Sequence, residues 1–325
     1  MYAVQAREAG SPDVLHYIEA PDPTPAPGEV LVDVQAAGVN FIDTYRRSGL
    51  YPMEFPHIVG VEGAGVVRAV GEGVTHLSPG NRVAWHDAPG SYAEQVRVPA
   101  NMTLQVPADI DFNTAAALPL QGLTAHYLVT DSHRVERGQT ALVHAAAGGV
   151  GLLLTQLVKH AGASVIATVG TEEKARLAAE AGADHVIIYG DGVDIAAEVR
   201  GLTDGRGVDV AYDGVGKDTF EASLESVGVR GSLVVFGGAS GPVPPVDVQR
   251  LNSAGGIFLS RPSLAWFVRD RKELASRAEV LWEGLRSGWL NFRIGATYNL
   301  ADAAEAHHAL ESRATTGKVL LLPRH

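Results

Sequence analysis

Small residues crowd a sharp turn near the middle of the chain, in the run Ala145-Ala146-Ala147-Gly148-Gly149-Val150-Gly151. An apolar strand pattern over residues 140–144 precedes this run, and a helical pattern begins at Val150. A strand that turns directly into a helix exposes unpaired N–H groups and a positive dipole end, and small residues let a pyrophosphate approach the backbone. Against G-x-G-x-x-G, Ala146 takes the first glycine position, and Gly148 and Gly151 take the others. The turn is typical of phosphate binding, although a plain helix cap uses the same residue types.

The next strand pattern, residues 164–169, ends about twenty residues after the glycines, where an NAD-selective site presents an acid to the ribose. This chain has Val169-Gly170-Thr171 there instead, with Lys174 shortly afterwards. A small, hydroxyl-bearing opening followed by a lysine can admit and neutralise a 2′-phosphate, so NADPH is favoured over NADH. A solvated Lys174 in the first turns of a helix over residues 172–181 is the alternative.

Further strand patterns at residues 184–188, 208–212 and 233–236 alternate with helical patterns at 195–202 and 219–227. Continuous apolar strands separated by helices predict an α/β fold with a doubly wound parallel sheet. Ligands of such sheets lie at the carboxyl ends of the strands. The candidate walls of the crevice at these ends are Tyr189, Asp213, Gly214, Val215, Gly216, Phe236, Gly237 and Gly238.

The remaining residues predict a second, discontinuous domain. Residues 1 to about 110 contain short alternating strand patterns, at 29–37, 63–70, 81–85 and 92–98, that Pro and Gly interrupt. Beyond the parallel sheet come a long amphipathic helical pattern at 264–286, a strand at 294–298, a helix at 301–312 and a strand at 318–322. The last strand needs a sheet to join. We therefore expect residues 1–122, completed by 267–325, to form one domain, and 123–266 to form the dinucleotide-binding domain.

Composition excludes several classes of protein. The 325 residues are 46% hydrophobic and 19% charged, enough to bury a large core, and they contain no cysteine for a disulfide or a thiolate metal site. The formal net charge of -11 disfavours nucleic acid and anionic lipid as partners. Without an apolar span or a signal-like amino terminus, the chain is expected to be cytoplasmic.

Five segments, in order along nearly the whole chain, carry a family resemblance. They are residues 38–45 (GVNFIDTY), 60–67 (GVEGAGVV), 80–83 (GNRV), 146–151 (AAGGVG) and 311–318 (ESRATTGK). Together they resemble the NADPH:quinone oxidoreductases, the zinc-free, zeta-crystallin-like branch of the medium-chain dehydrogenases/reductases. The resemblance implies a Rossmann domain joined to an irregular, mostly β, GroES-like catalytic domain.

A metal site is not expected. Where zinc alcohol dehydrogenases have Gly-His-Glu, this chain has Gly60-Val61-Glu62, and His307 and His308 are adjacent on a helix and face different directions. Without a Lewis acid to polarise an alcohol oxygen, alcohol oxidation is disfavoured. Quinones or activated enones, which accept hydride with little assistance, are the expected substrates.

The resemblance also implies positions for the site residues. Asn40 lies near the nicotinamide ribose, and Tyr45 and Tyr51 face the substrate opening; simple packing is the alternative for both tyrosines. NADPH is expected to bind in a cleft that these three catalytic candidates line. The cofactor-binding candidates are Asn40, Gln121, Tyr127, Gly148, Gly149, Val150, Gly151, Gly170, Thr171, Lys174, Tyr189, Val215, Phe236, Gly237, Gly238 and Arg313. Arg313 can alternatively be a cation at a helix carboxyl terminus.

Residues 255–261 predict one more strand, which would be the edge of the parallel sheet. An exposed edge leaves backbone groups unpaired, so we expect either a homodimer through this strand, as the resemblance also implies, or a covering loop.

Two other functions remain open from sequence. They are reduction of a 2-alkenal or enone double bond, and a low-turnover NADPH-binding structural or RNA-binding role, the latter disfavoured by the acidic charge.

Overall fold

The computed structural model describes residues 1–323. Its strands are β1 (Tyr2–Ala6), β2 (Leu15–Glu19), β3 (Glu29–Val39), β4 (His57–Ile58), β5 (Glu62–Val70), β6 (Arg82–Trp85), β7 (Gln95–Pro99), β8 (Leu104–Gln105), β9 (Thr140–Val143), β10 (Ser164–Val169), β11 (His185–Ile188), β12 (Val208–Asp213), β13 (Val227–Val235), β14 (Phe258–Ser260), β15 (Ile294–Asn299) and β16 (Lys318–Leu322). Its helices are α1 (Phe41–Arg47), α2 (Phe112–Ala117), α3 (Pro119–Tyr127), α4 (Gly149–His160), α5 (Glu172–Glu180), α6 (Ile195–Leu202), α7 (Phe220–Ser226), α8 (Gln249–Ser253), α9 (Arg271–Arg286) and α10 (Ala303–Glu311).

The chain divides into two compact units. The first unit comprises Met1–Gly122, Val268–Val280 and residues 292 onward. The second comprises Leu123–Phe267 and Leu281–Asn291. Among residues 1–323, no helix combines the length and the apolar character needed to cross a bilayer.

A parallel sheet organises the second unit. Its strand order is β11-β10-β9-β12-β13-β14, and every neighbouring pair is parallel. This order is that of a doubly wound sheet, whose ligand crevice lies where the order reverses, beside β9 and β12. The predicted fold class is therefore confirmed.

The central strands of this sheet are buried on both faces. Residues Ala141–Val143 of β9 and 165–169 of β10 are all buried. Leu142, Ile166 and Val199 belong to one apolar core cluster that also includes Phe220 and Leu233. Because both faces are covered, these strands have continuous rather than alternating apolar sequences, which is why the sequence predicted a parallel sheet.

Antiparallel strands dominate the first unit. One sheet has the order β15-β16-β3-β5-β6-β8, with β7 also paired to β3, and a smaller sheet has the order β2-β1-β4. Strand β16 pairs antiparallel with β3, with Val319 opposite Val39 and Leu321 opposite Ala37. The carboxyl-terminal strand thus completes a sheet that begins near the amino terminus, and the predicted discontinuous, mostly β domain is confirmed.

Two kinds of element differ from the sequence prediction. The helix predicted over residues 264–286 is wrong at its start, because the chain makes a 3₁₀ turn at Leu264–Trp266 and the helix begins at Arg271. The Asp270 carboxylate accepts a hydrogen bond from the Glu273 N–H at 2.9 Å, which caps the helix there. Strands β1, β2, β4 and β8 were not predicted, and two-residue strands such as β4 offer no pattern to read.

Candidate active site

The glycine turn, residues 145–151, has the geometry that phosphate binding requires. Ala145 adopts a left-handed backbone conformation with φ of 50°, and α4 begins at Gly149 with Gly148 at its amino-terminal cap. A Cβ at Gly151 would lie 2.4 Å from the Ala145 carbonyl oxygen and 2.7 Å from the Ala146 Cα, so only glycine lets the helix pack this closely. A Cβ at Gly148 would meet only the Ala145 oxygen, at 3.2 Å, so the surface beside Gly148 is open. The positive end of α4 is thereby left accessible to an anion.

Thr171 and Lys174 lie together at the next strand-to-helix turn. The Thr171 hydroxyl oxygen caps α5 by accepting the Lys174 backbone N–H at 3.2 Å, and both side chains reach solvent. A Cβ at Gly170 would lie 3.2 Å from the Tyr189 hydroxyl, so Tyr189 covers this glycine. The structure therefore brings Gly170, Thr171, Lys174 and Tyr189 together at the ends of β10 and β11.

The loops after β12 and β13 pack tightly against each other. A Cβ at Gly237 would lie 2.4 Å from the Gly214 carbonyl oxygen, and one at Gly214 would lie 2.7 Å from the Phe236 ring. Val215 and Gly238 are partly buried members of the same two loops. Glycine at 214 and 237 is thus a steric requirement, and these loops form one surface at the carboxyl end of the sheet.

Tyr127 is a buried candidate of the second unit. Its side chain is 2% exposed, and its ring stacks on Phe267 with centroids 4.3 Å apart and an interplanar angle of 3°. The observed role of Tyr127 is packing, and a cofactor contact for it stays a prediction.

Asn40 is the most constrained candidate of the first unit. It precedes α1, is 5% exposed, and its Nδ2 donates to Glu62 Oε2 at 2.7 Å. Its Oδ1 accepts from Lys318 Nζ at 2.8 Å and from Gln121 Nε2 at 3.4 Å. The amide therefore has one orientation, with its nitrogen toward an anion and its oxygen toward a cation.

Glu62 and Lys318 form an ion pair that the sequence analysis missed. The two side chains are 0% and 1% exposed, and the ammonium donates directly to Glu62 Oε2. Glu62 Oε1 also accepts the Leu120 N–H at 2.6 Å. A Cβ at Gly38 would lie 2.2 Å from Glu62 Oε2, so glycine there makes room for the pair. The available signal was a charged residue at the start of each of two largely apolar strands, Glu62 in β5 and Lys318 in β16.

Asp43 holds the backbone of Asn40 from the other side. Its Oδ2 accepts the Asn40 N–H at 2.9 Å and the Tyr92 hydroxyl at 3.0 Å, and burial raises the pKa of Asp43 to about 7. The Tyr92 oxygen lies 3.1 Å from His307 Nε2, and burial lowers the pKa of His307 to about 3. The neutral His307 ring accepts from Arg47 at Nδ1, 3.2 Å away, so its Nε2–H donates to Tyr92.

The two tyrosine candidates are in contact. The Tyr45 and Tyr51 ring centroids are 5.4 Å apart, and the Tyr51 N–H donates to the Tyr45 carbonyl oxygen at 3.0 Å. Tyr45 is half-buried on α1, whereas Tyr51 is 39% exposed in the following loop.

Arg313 is exposed just beyond α10, with a left-handed φ of 60°, and its N–H closes the helix by donating to the Leu310 carbonyl oxygen.

Val61 lies in the apolar interior, 2% exposed. Across residues 1–323, the His, Asp and Glu side chains form no group of three that could hold a metal ion.

Comparison with known proteins agrees with this architecture. The family model described as alcohol dehydrogenase GroES-like domain matches residues 26–108, and the one described as zinc-binding dehydrogenase matches residues 149–266. The Pseudomonas aeruginosa quinone oxidoreductase is 44% identical over 322 residues, which are 98% of this chain and 99% of that protein. The chain belongs to the quinone oxidoreductase family. The resemblance derived from the sequence is confirmed, within the zinc-free branch of the medium-chain dehydrogenases/reductases.

Two other members of this superfamily bear on cofactor and substrate. A mycobacterial protein whose structure was solved as a complex with NADPH is 51% identical, with a TM-score of 0.97 over 99% of this chain and 100% of that chain. A 2-haloacrylate reductase from a Burkholderia species is 39% identical over 99% of both chains.

The Glu62–Lys318 pair generates a stability prediction for this protein. Lys318→Met leaves a buried carboxylate uncompensated, so we expect it to lower the free energy of unfolding in urea by about 3–5 kcal/mol, with partial recovery in Glu62→Gln/Lys318→Met. Lys159→Met removes one partner of the half-exposed Lys159–Asp184 pair and should cost about 0–1 kcal/mol. Equal losses in both lysine variants would contradict the buried-pair argument.

Asp43 generates a pH prediction. Because its folded-state pKa of about 7 exceeds the ordinary value of 3.8, the folded protein retains a proton that the unfolded chain releases, and stability falls as pH rises between these values. Asp43→Asn removes this titration. Between pH 5 and pH 8 we expect the unfolding midpoint to fall further in the native protein than in the variant. Parallel pH profiles would show that Asp43 does not titrate in this range.

Proposed function

We propose that this protein reduces quinones with NADPH, by hydride transfer and without a metal. The observation that carries the dinucleotide part of this proposal is the glycine turn, in which the amino terminus of α4 is open beside Gly148 and Gly151 is sterically required. A dinucleotide pyrophosphate fits such a turn because its charge meets unpaired N–H groups and no side chain blocks its approach.

We assign the cofactor's parts to the loops described above. Residues Gly148, Gly149, Val150 and Gly151 would hold the pyrophosphate, and Gly170, Thr171, Lys174 and Tyr189 the phosphorylated adenosine ribose. The nicotinamide side would face Val215, Phe236, Gly237 and Gly238, with Asn40, Gln121, Tyr127 and Arg313 as further candidates. When bound, the nicotinamide supplies the hydride. Dinucleotide binding is thus assigned to residues 123–266, and catalysis to 1–122 with 267–325.

The chain's own catalytic contribution is orientation and hydrogen bonding. Tyr45 and Tyr51 present an aromatic pair with phenol hydroxyls, which can stack on a flat acceptor and donate to an oxygen that gains charge. Asn40 cannot reorient, because an anion and a cation fix the two ends of its amide. Such fixed groups lose little freedom when a substrate binds, which is how positioning accelerates a reaction.

Reduction of an activated carbon–carbon double bond is the second candidate, and the 2-haloacrylate reductase relative favours it. NADPH oxidation should be followed by its absorbance with a quinone and with 2-chloroacrylate in parallel. Our proposal predicts many turnovers per protein with the quinone and far fewer with the acrylate. A reversed ratio would identify the double-bond reductase, and no more than one NADPH consumed per chain with either acceptor would contradict both functions.

Coenzyme choice is predicted to depend on Lys174. The native protein should prefer NADPH over NADH by at least about tenfold in kcat/KM, equivalent to about 1.4 kcal/mol. Lys174→Ala should lose much of that preference while NADH kinetics stay unchanged. Arg176→Ala, an exposed residue of the same helix, is the matched control. Equal kcat/KM values for both coenzymes in the native protein would refute the assignment.

We further propose a homodimer through β14, an end strand of the parallel sheet across residues 1–323. Large apolar side chains are exposed on and near this edge: Phe258 is 66% exposed and Val229 is 77% exposed. Pairing of β14 with its copy about a two-fold axis would cover both the backbone groups and these side chains.

A cytoplasmic location stays a prediction from sequence.

Light scattering during size-exclusion chromatography tests the dimer. We expect a dimer for the native protein at micromolar concentration and dissociation in Phe258→Pro and Phe258→Lys. Val193→Lys is the matched control, because Val193 is 40% exposed and follows β11 at the opposite edge of the sheet. A native monomer, or a dimer that both Phe258 variants leave intact, would exclude this interface.

A further inference from the structure

A chain of buried polar side chains crosses the carboxyl ends of β10, β9 and β12. Thr168, His144, Asp213 and Ser223 are each at most 1% exposed. Thr168 Oγ1 lies 2.9 Å from His144 Nδ1, Ser223 Oγ lies 2.9 Å from His144 Nε2, and Ser223 Oγ donates to Asp213 Oδ2 at 2.7 Å. The function proposed above uses none of these four side chains.

The direction of every hydrogen bond in this chain follows from its end. The Ser223 hydroxyl donates to Asp213 Oδ2, so its oxygen is free to accept from His144 Nε2–H. Burial lowers the pKa of His144, which keeps the ring neutral. Its Nδ1 therefore accepts from the Thr168 hydroxyl. The order of donation runs from Thr168 through His144 and Ser223 to Asp213.

Each strand residue of this chain stands directly before a loop assigned to the cofactor. His144 precedes the glycine turn at Ala145, and Thr168 lies two residues before Gly170. Asp213 ends β12, and its Oδ1 accepts the N–H groups of Val215 and Gly216, both at 2.9 Å. The Thr219 hydroxyl, also within hydrogen-bond distance of the carboxylate at 2.8 Å, anchors the start of α7 to the same group.

We propose that Thr168, His144, Ser223 and Asp213 are positioning residues that tie the three cofactor loops into one arrangement before NADPH binds. The inference rests on the proposed function in that it takes these loops as the NADPH site. Backbone pairing of parallel strands fixes the strands but not the loops beyond their ends. A directional network with every group satisfied fixes them, because each broken link leaves a buried donor or acceptor without a partner.

The test uses Ser223→Ala and Thr168→Val, which remove a single hydroxyl at either end of the His144 ring. Two matched controls also remove buried hydroxyls. Ser226→Ala acts on the same helix α7, where Ser226 donates to Ala222, and Thr155→Val acts on α4, where Thr155 donates to Gly151. Ser226 and Thr155 are 0% exposed, and their hydroxyls bond within their own helices rather than between loops.

Hydrogen exchange of the full-length protein without cofactor is the first measurement. Ser223→Ala and Thr168→Val should each accelerate amide exchange in residues 145–151, 170–174 and 214–216 together, and the controls should not. Acceleration confined to the loop next to the substituted residue would overturn the proposal. This measurement needs no NADPH, so it stands even where the proposed function fails.

NADPH binding, followed by the fluorescence of NADPH, is the second measurement. We expect Ser223→Ala and Thr168→Val each to raise the dissociation constant for NADPH about tenfold, with the controls within about twofold. The double variant should weaken binding by less than the product of the single effects, because both break one connected network. If Ser223→Ala and Thr168→Val bind NADPH with native affinity and unfold at the same midpoints as the controls, the network residues only stabilise the fold.

Discussion

A buried positive charge organises the first unit. The Lys318 ammonium is almost completely withdrawn from water and requires an anion, which Glu62 supplies, and a neutral acceptor, which Asn40 supplies. Replacing such a pair with apolar residues is often neutral for stability, and in this structure the pair holds the Asn40 amide in one orientation. The amide of Asn40, the start of α1 and therefore the placement of Tyr45 follow from this arrangement.

The second unit also has a buried polar network with a single arrangement, but the network is built from different groups. In place of a cation, backbone N–H groups and hydroxyls surround the Asp213 carboxylate. In both units an acceptor-only group ends a buried polar network and thereby sets the direction of its hydrogen bonds. Such networks are strong inside a protein because little water screens them, and for the same reason they tolerate few changes.

The parallel sheet and the glycine turn could be predicted from sequence because their causes are local. A strand buried on both faces is apolar throughout, and the space required at Gly151 depends on residues only five or six positions away. The partners of Asn40 could not be predicted, because Glu62 and Lys318 are 256 residues apart and meet only because β5 and β16 both pair with β3. His144 and Ser223 were missed for a related reason, since nothing distinguishes a lone histidine at a strand end from a packing residue.

The return of β16 to the sheet of β3 also has a consequence for biosynthesis. A ribosome releases residues 123–267 as one contiguous stretch, so the second unit has most of its sequence available while translation continues. The first unit cannot complete its sheet until β16 has been synthesised. Until Lys318 emerges, the Glu62 carboxylate lacks the counter-charge that it has in the folded protein. Domains of nascent chains generally fold as they emerge, so the two units complete folding in the reverse of the order in which they begin to be made. During that interval residues 37–39 of β3 lack the strand that pairs with them in the folded protein, and an unpaired strand edge can pair with another chain.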